Sequence, residues 1–102
     1  MASRLNLHEE LCTILGSRNV YYDPPESVKM KYPCIRYSLS GVDKHNASDK
    51  RYRSTNRYEV VVIETDADSA IPDKILSHFP MCSFDTGYTA GNLHHKVYTL
   101  YY

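Results

Sequence analysis

The feature that most constrains this fold is an unbroken β-branched run, Val60-Val61-Val62-Ile63, within the segment from Arg57 to Thr65. β-branched residues favour strands, and apolar side chains at consecutive positions point to both faces of a sheet. Such a strand needs a neighbour on each side and a covering layer on each face. The run therefore predicts the central strand of a sheet, buried on both faces.

Two segments have the spacing of amphipathic helices. The first spans residues 5–15 and ends at Gly16, and the second spans about residues 70–78 and must end before Pro80. Asp66 and Asp68 precede the second helix and are predicted to cap it. The predicted apolar stripes are Leu7, Leu11, Ile14 and Leu15 in the first helix and Ile71, Ile75 and Phe79 in the second.

Four further segments are predicted as strands. Residues 19–22 precede Pro24 and Pro25, so they form an edge strand or an ordered arm. Residues 34–40 alternate strictly, while residues 81–88 and 94–101 form strands joined by a turn over residues 87–92. The element order is α, β, β, β, α, β, β. It predicts a single α+β domain over residues 1–102, with an antiparallel sheet of about four strands and both helices packed on one face.

The segment from Gly41 to Asn56 is polar and has no regular pattern. Its length predicts either a long projecting loop between the second and third strands or a long two-stranded finger. Basic and aromatic residues are concentrated in and just after it, as expected of a solvated loop, a surface that docks on an acidic protein, or a small nucleic-acid-binding module that uses residues 44–57. The candidate protein-interface residues are Lys50, Arg51, Tyr52, Arg53 and Arg57.

Composition limits the partners and the compartment. The 12 Lys and Arg balance the 12 Asp and Glu, so no overall field attracts nucleic acid or a membrane surface, and no apolar run is long enough to span a bilayer. Cys12, Cys34 and Cys82 are odd in number and widely spaced, which predicts reduced core thiols and a cytosolic origin. The ten tyrosines are typical either of protein interfaces or of one-sided sheets.

The sequence predicts no catalytic, cofactor or metal site. The four glycines match no phosphate-binding loop, and the run Glu64, Asp66, Asp68 lacks the glycine and the final glutamate of a calcium loop. His94 and His95 are neighbours on a predicted strand, so they point to opposite faces and do not share an ion. A nucleophile, a base and an orienting group are not found together, and we therefore expect no enzyme activity.

Several stretches resemble the small tail-completion or tail-terminator proteins of long-tailed, siphovirus-type phages and prophages. They touch most of the chain and are structural rather than catalytic in character. The stretches are residues 11–17 (LCTILGS), 20–27 (VYYDPPES), 30–35 (MKYPCI), 68–73 (DSAIPD) and the terminal 82–102.

The resemblance implies a non-enzymatic α+β subunit that assembles as a ring, often a hexamer, at the head-proximal end of the tail tube. There it would terminate the tail and join it to the head connector. The implied partners are further copies of the chain, the tail tube protein and the head-tail connector protein, with possible DNA passage through the ring lumen and no membrane. The implied locations are the bacterial host cytoplasm during assembly and the head-tail interface of the virion. A head-closure protein or another minor virion connector is the alternative.

Overall fold

The computed structural model describes residues 4–46 and 52–102, with side chains for residues 4–42 and 55–102. Within this part of the chain, two helices and five strands follow one another in the order α1, β1, β2, β3, α2, β4, β5. Their bounds are Arg4–Leu15 (α1), Val20–Tyr22 (β1), Cys34–Asn46 (β2), Tyr52–Glu64 (β3), Ile71–His78 (α2), Cys82–Ala90 (β4) and Leu93–Tyr101 (β5). The predicted α+β class is confirmed.

The strands form one sheet in the order β1-β2-β3-β5-β4. Strand β1 runs parallel to β2, and the remaining pairs are antiparallel. The predicted antiparallel sheet of about four strands is therefore wrong in strand number and in type. The short β1 offered no sequence signal for its partner or direction, because the prolines that follow it fix only its position at an edge.

Strand β3 occupies the centre of the sheet, as predicted from its β-branched run. Val60, Val61, Val62 and Ile63 expose 2% or less of their surface. Val60 and Val62 belong to the cluster beneath the helices, whereas Val61 and Ile63 belong to a second cluster on the opposite side. Both faces of this strand are covered.

Both helices pack on one face of the sheet, here called the helix face. Leu7 and Leu11 from α1, Ile75 from α2, and Tyr98 and Leu100 from β5 are fully or almost fully buried together there. This arrangement confirms the predicted apolar stripes. The single layer of two short helices also covers Val20 of the edge strand β1, whereas residues 83–90 of the other edge strand, β4, are exposed.

The opposite face, here called the second face, is covered only at one end. Cys34, Val61 and Ile63 form a small cluster there, with Met30 and Tyr21 packed against it. Met30 belongs to the connection between β1 and β2, and the backbone N–H of Lys31 donates to the Tyr21 hydroxyl at 3.2 Å. The crossover connection therefore supplies the second layer that the central strand requires.

The predicted long loop after the second strand is wrong, and the two-stranded alternative is correct. Strands β2 and β3 stay paired from Cys34 and Ile63 to Asn46 and Tyr52. Strand β5 ends opposite Arg57, so residues 41–46 and 52–56 form a two-stranded ribbon beyond the five-stranded body. This ribbon is here called the finger. A ribbon outside the sheet has no core to cover, and hydrophobic alternation is therefore absent from its sequence.

Two local predictions also need correction. The turn predicted over residues 87–92 contains only Gly91 and Asn92, both with positive φ (56° and 61°), so Gly87 lies inside β4. Ala70, rather than an aspartate, is the N-cap of α2. The first turn is held instead by Ser69, whose hydroxyl accepts the Ile71 N–H at 3.1 Å and donates to the buried Glu64 carboxylate at 2.7 Å.

Candidate interaction surfaces

The predicted interface residues do not form one described cluster. Lys50 and Arg51 lie outside the described residues. Tyr52 and Arg53 begin β3, opposite Asn46 and His45, and their side chains lie outside the described part. Only Arg57 has a described side chain, so the five residues stay predictions as a set.

Arg57 lies at the base of the finger rather than at its tip. It pairs with Gly41 across the hairpin and with Tyr101 of β5. Its guanidinium group occupies the space where a Cβ atom at position 41 would stand. Its carbonyl oxygen accepts a hydrogen bond from the Ser40 hydroxyl at 3.0 Å. Arg57 therefore secures the junction between the finger and the body.

The base of the finger also carries apolar side chains on the helix face. Leu39 and Val42 are 44% and 49% exposed, and they flank the register shift at Ser40. Leu39 continues the row of Ile35 and Tyr37, which are buried beneath α1. Because α1 does not extend over Leu39 and Val42, this end of β2 presents apolar surface to solvent.

Strand β4 forms the other lateral edge of the sheet, and it is long and exposed. Residues 83–90 are all exposed, and no strand in the described part of the chain pairs with its outer side. Asp85, its only charged residue, is a bulge residue whose carboxylate accepts the Thr99 hydroxyl across the ladder. Phe84 packs edge-on against the buried Tyr98 at 5.6 Å and remains 52% exposed. An edge of this kind, without lysine or proline, is a template for pairing with another strand.

A buried tyrosine fixes α1 on the sheet. The Tyr37 hydroxyl accepts from Arg4 Nη1 at 3.2 Å and lies 2.7 Å from His8 Nδ1. Burial, followed by the charges of Arg18 and Arg4, lowers the pKa of His8. The imidazole is therefore neutral at pH 7, and its Nδ1 accepts the Tyr37 proton. This network connects α1 to β2.

A second polar cluster joins the C-terminal residue to both helices. The Tyr102 hydroxyl donates to Glu10 Oε2, and His78 Nε2 lies 2.8 Å from Glu10 Oε1. Burial, followed by the hydrogen bond to Glu10, raises the pKa of Tyr102 to about 12, so Tyr102 remains a donor. Although burial acts in the opposite direction, hydrogen bonds from Tyr102 and His78 keep the pKa of Glu10 below its ordinary value. The cluster clamps α1, α2 and the end of β5 together.

The cysteines have the properties of packed side chains. Cys34 is fully buried and Cys12 is 6% exposed, whereas Cys82 is half-buried at the start of β4. Desolvation raises the pKa of Cys34 and of Cys82 to about 11, so both thiols are protonated at neutral pH. A protonated thiol is a poor nucleophile and a poor metal ligand.

The two adjacent histidines lie on opposite faces of β5. His94 contacts the Thr89 hydroxyl at 3.3 Å, whereas His95 stacks on Tyr88 at 4.6 Å and donates from Nδ1 to the Leu93 carbonyl. Among the side chains that the structure describes, no three His, Cys, Asp or Glu groups come together as metal ligands.

Comparisons with protein-family models and with curated proteins find no match for this sequence. Neither helix in the described part of the chain is long and apolar enough to cross a membrane.

The β4 edge and the apolar base of the finger were not identified from sequence. The signals present in the sequence were the single charge among the nine residues of β4 and the apolar Val42 in a segment expected to be polar, shortly after Leu39. Neither signal is interpretable without knowing which strand lies at the edge and where the helix layer ends.

Proposed function

We propose that this chain is a non-enzymatic structural protein of a long-tailed phage. It assembles as a ring at the head-proximal end of the tail tube, terminates the tail and joins it to the head connector. The phage context comes from the sequence resemblance. The structural observation that supports it best is the finger, a two-stranded ribbon in a molecule that measures 51 Å along its longest axis against 28 and 23 Å along the other two.

The finger supports an assembly role because it contributes little to the core. Its residues pair with each other beyond the end of β5, where neither helix adds a layer. Surface of this kind is retained when it contacts another molecule. On this proposal the predicted interface residues Lys50, Arg51, Tyr52 and Arg53 contact acidic groups of a neighbouring subunit, the tail tube protein or the connector protein. DNA passes through the ring lumen.

The chemistry of the described residues favours assembly over catalysis. The described histidines and thiols are dispersed over both helices and three different strands, and the most buried thiol, that of Cys34, is protonated. The polar networks around Tyr37 and Glu10 hold the helices in place, and the Tyr37 hydroxyl that lies beside His8 belongs to a residue that is almost fully buried. Assembly requires only surface, and the molecule has two extended edges that provide it.

The test is complementation of a phage that lacks the gene. The Arg51→Glu, Arg53→Glu double variant should keep the circular dichroism spectrum of the wild type, because on this proposal both arginines contact other molecules and not the core, and surface substitutions change stability by about 0.5 kcal/mol or less each. It should fail to give infectious particles. The matched control is Lys29→Glu, Lys31→Glu, which makes the same charge change at exposed positions of the β1–β2 connection.

Electron microscopy of the failed lysate separates the candidate roles. Overlong tail tubes with free heads indicate a tail terminator, whereas tails of normal length beside DNA-leaking heads indicate a head-closure protein. If the Arg51, Arg53 variant gave infectious particles, these two arginines would be solvated residues that make no contact needed for assembly. If a wild-type copy also failed to restore normal particles, the phage assignment itself would be contradicted.

A further inference from the structure

On two strands, β4 and the part of β2 beyond β1, some backbone N–H and C=O groups point away from the sheet. The hydrogen-bond pattern of the sheet shows which residues carry them. On β4, the Tyr101 N–H donates to the Met81 carbonyl, and Ala90 and Leu93 close the two-residue turn. Along an antiparallel strand, residues whose backbone groups face the partner alternate with residues whose groups face away. The bond at Met81 and the pair at Ala90 therefore show which residues of β4 face away from β5 before and after the bulge at Asp85. The outward-facing residues are Cys82, Phe84, Gly87 and Thr89.

The same reasoning applies to β2 beyond the end of β1. The Ile35 N–H donates to Asn19, and the Tyr37 carbonyl accepts from Asp23, so odd-numbered residues face the β1 side before the bulge at Ser40. After the bulge Gly41 pairs with Arg57, and the outward position shifts to Val42. Leu39 and Val42 thus present backbone groups on an edge that β1 no longer covers.

These two edges match in direction, spacing and face. Across the sheet β2, β3, β5 and β4 alternate in direction, so β4 of one copy lies antiparallel to β2 of a second copy placed beside it in the same orientation. Phe84 and Gly87 are three residues apart, as are Leu39 and Val42, because each edge contains one bulge. Cross-strand partners lie on the same face of a sheet, and the partners of these four residues lie on the helix face. The four positions are therefore on the helix face as well.

We infer that β4 of one copy of this chain pairs antiparallel with the base of the finger, on β2, of the next copy. Phe84 lies beside Val42, so their half-exposed apolar side chains cover each other, and Gly87 leaves room for Leu39. The two edges are different surfaces of the same chain. Each added copy therefore leaves one edge of each kind free, and the contact repeats until a ring closes. This inference rests on the ring assembly proposed above and names the surface that builds it.

The test removes one outward amide from each edge of the full chain. In Gly87→Pro the proline lacks the N–H that would donate to the neighbour, and proline is tolerated on edge strands. Gly87→Ala is the control, because a Cβ atom there meets its neighbours at ordinary contact distances of 3.5 Å or more. Val42→Pro and its control Val42→Ala treat the other edge in the same way. Circular dichroism checks that each variant is folded.

Native mass spectrometry then gives the number of copies. The wild type and both alanine controls should form assemblies larger than a dimer, while each folded proline variant alone should be a monomer. An equimolar mixture of Gly87→Pro and Val42→Pro should give a dimer and nothing larger, because one intact edge of each kind remains in the pair. Dimers of Val42→Pro alone would mean that β4 pairs with itself, which overturns the head-to-tail contact.

Two further outcomes separate this inference from the proposed function. If the wild type assembles and both folded proline variants assemble equally well, the edge contact is wrong and the ring proposal stands. If the wild type is a monomer at every concentration tested, both fail. If a proline variant is unfolded, disulfide trapping replaces it. A mixture of Phe84→Cys and Val42→Cys should then give a covalent dimer that neither variant gives alone, with peptide mapping to locate the link, and absence of that link would contradict the contact.

Discussion

The two halves of β3 occupy opposite environments on one continuous strand. From Tyr58 to Ile63 it has a partner strand on each side, its apolar residues are almost fully buried, and both faces are covered from Val60 to Ile63. From Tyr52 to Asn56 its only strand partner is β2, and the Asn56 carbonyl also accepts a hydrogen bond from the Tyr102 N–H at 3.0 Å. The buried half determines whether the chain folds, and we propose that the other half extends the fold toward other molecules. On that proposal, folding and assembly depend on different halves of a single strand.

The largest effect is expected in the buried half. Val61→Asp places a carboxylate in a site that is 2% exposed, and although Arg36 stands opposite it on β2, we expect a cost of several kcal/mol. We expect loss of soluble expression, and the same for Val62→Asp. Glu59→Asp is the control, since it places an aspartate at an exposed position of the same strand. A soluble, cooperatively melting double variant, Val61→Asp with Val62→Asp, would contradict the central position of β3.

A smaller effect is expected at the clamp that holds the helices on the buried half. The pKa of Glu10 is depressed in the folded chain, so its contribution to stability is present above the ordinary value of 4.5 and is lost as pH falls through the folded value. Because Glu10 is partly exposed, we expect less than about 1 kcal/mol. The urea midpoint of Glu10→Gln should lie below the wild-type midpoint at pH 7.

Lowering the pH tests the cause of that difference. The two midpoints should converge as the pH falls below 4.5, because the wild-type carboxyl then becomes neutral as well. Glu26→Gln, an exposed position on the β1–β2 connection, should follow the wild type throughout. If the urea midpoint of Glu10→Gln stayed equally far below that of the wild type at low pH, the shape of the Glu10 side chain, rather than its charge, would be what stabilises the cluster.

The smallest effect is expected at the junction between the halves. Gly41→Ala forces the Arg57 guanidinium to move, and since this is the far end of a flexible side chain we expect a loss of about 0.5 kcal/mol or less. In an Arg57→Ala background the same change should be neutral or stabilising, because alanine restricts the unfolded chain. Urea midpoints of the four proteins give the coupling between the two positions. Equal losses in both backgrounds would show that Arg57 does not occupy the space over Gly41.

The sequence predicted those elements whose burial is encoded locally. The run Val60 to Ile63 and the stripe of Ile71, Ile75 and Phe79 need no distant information, because consecutive or regularly spaced apolar residues define them. The finger was predicted only as one of two alternatives, since a ribbon without a buried face has no hydrophobic period. The strict alternation of residues 34–40 indicates which of them share a face, but the full burial of Tyr37 depends on α1, whose Arg4 is 33 residues away and donates to its hydroxyl.

The candidate surfaces were less predictable than the fold. Charge concentration pointed to residues 44–57, yet Arg57 proves to lie against the body, and Lys50 and Arg51 fall outside the described residues. The edge of β4 depends on strand order, which pairs β5 rather than β4 with β3. Strand order is a long-range property, and no local pattern in residues 82–90 encodes it.

The most direct test of the central claim is amide hydrogen exchange, resolved to single residues, in the assembled wild type and in folded, monomeric Gly87→Pro. The account predicts that the outward amides of Leu39, Val42 and Phe84 are protected only in the assembly. The amides of Val60 and Val62, which face β5, should be protected in both. Equal, fast exchange of Leu39, Val42 and Phe84 in the two states would contradict the account, because it would mean that copies of this chain meet through other surfaces.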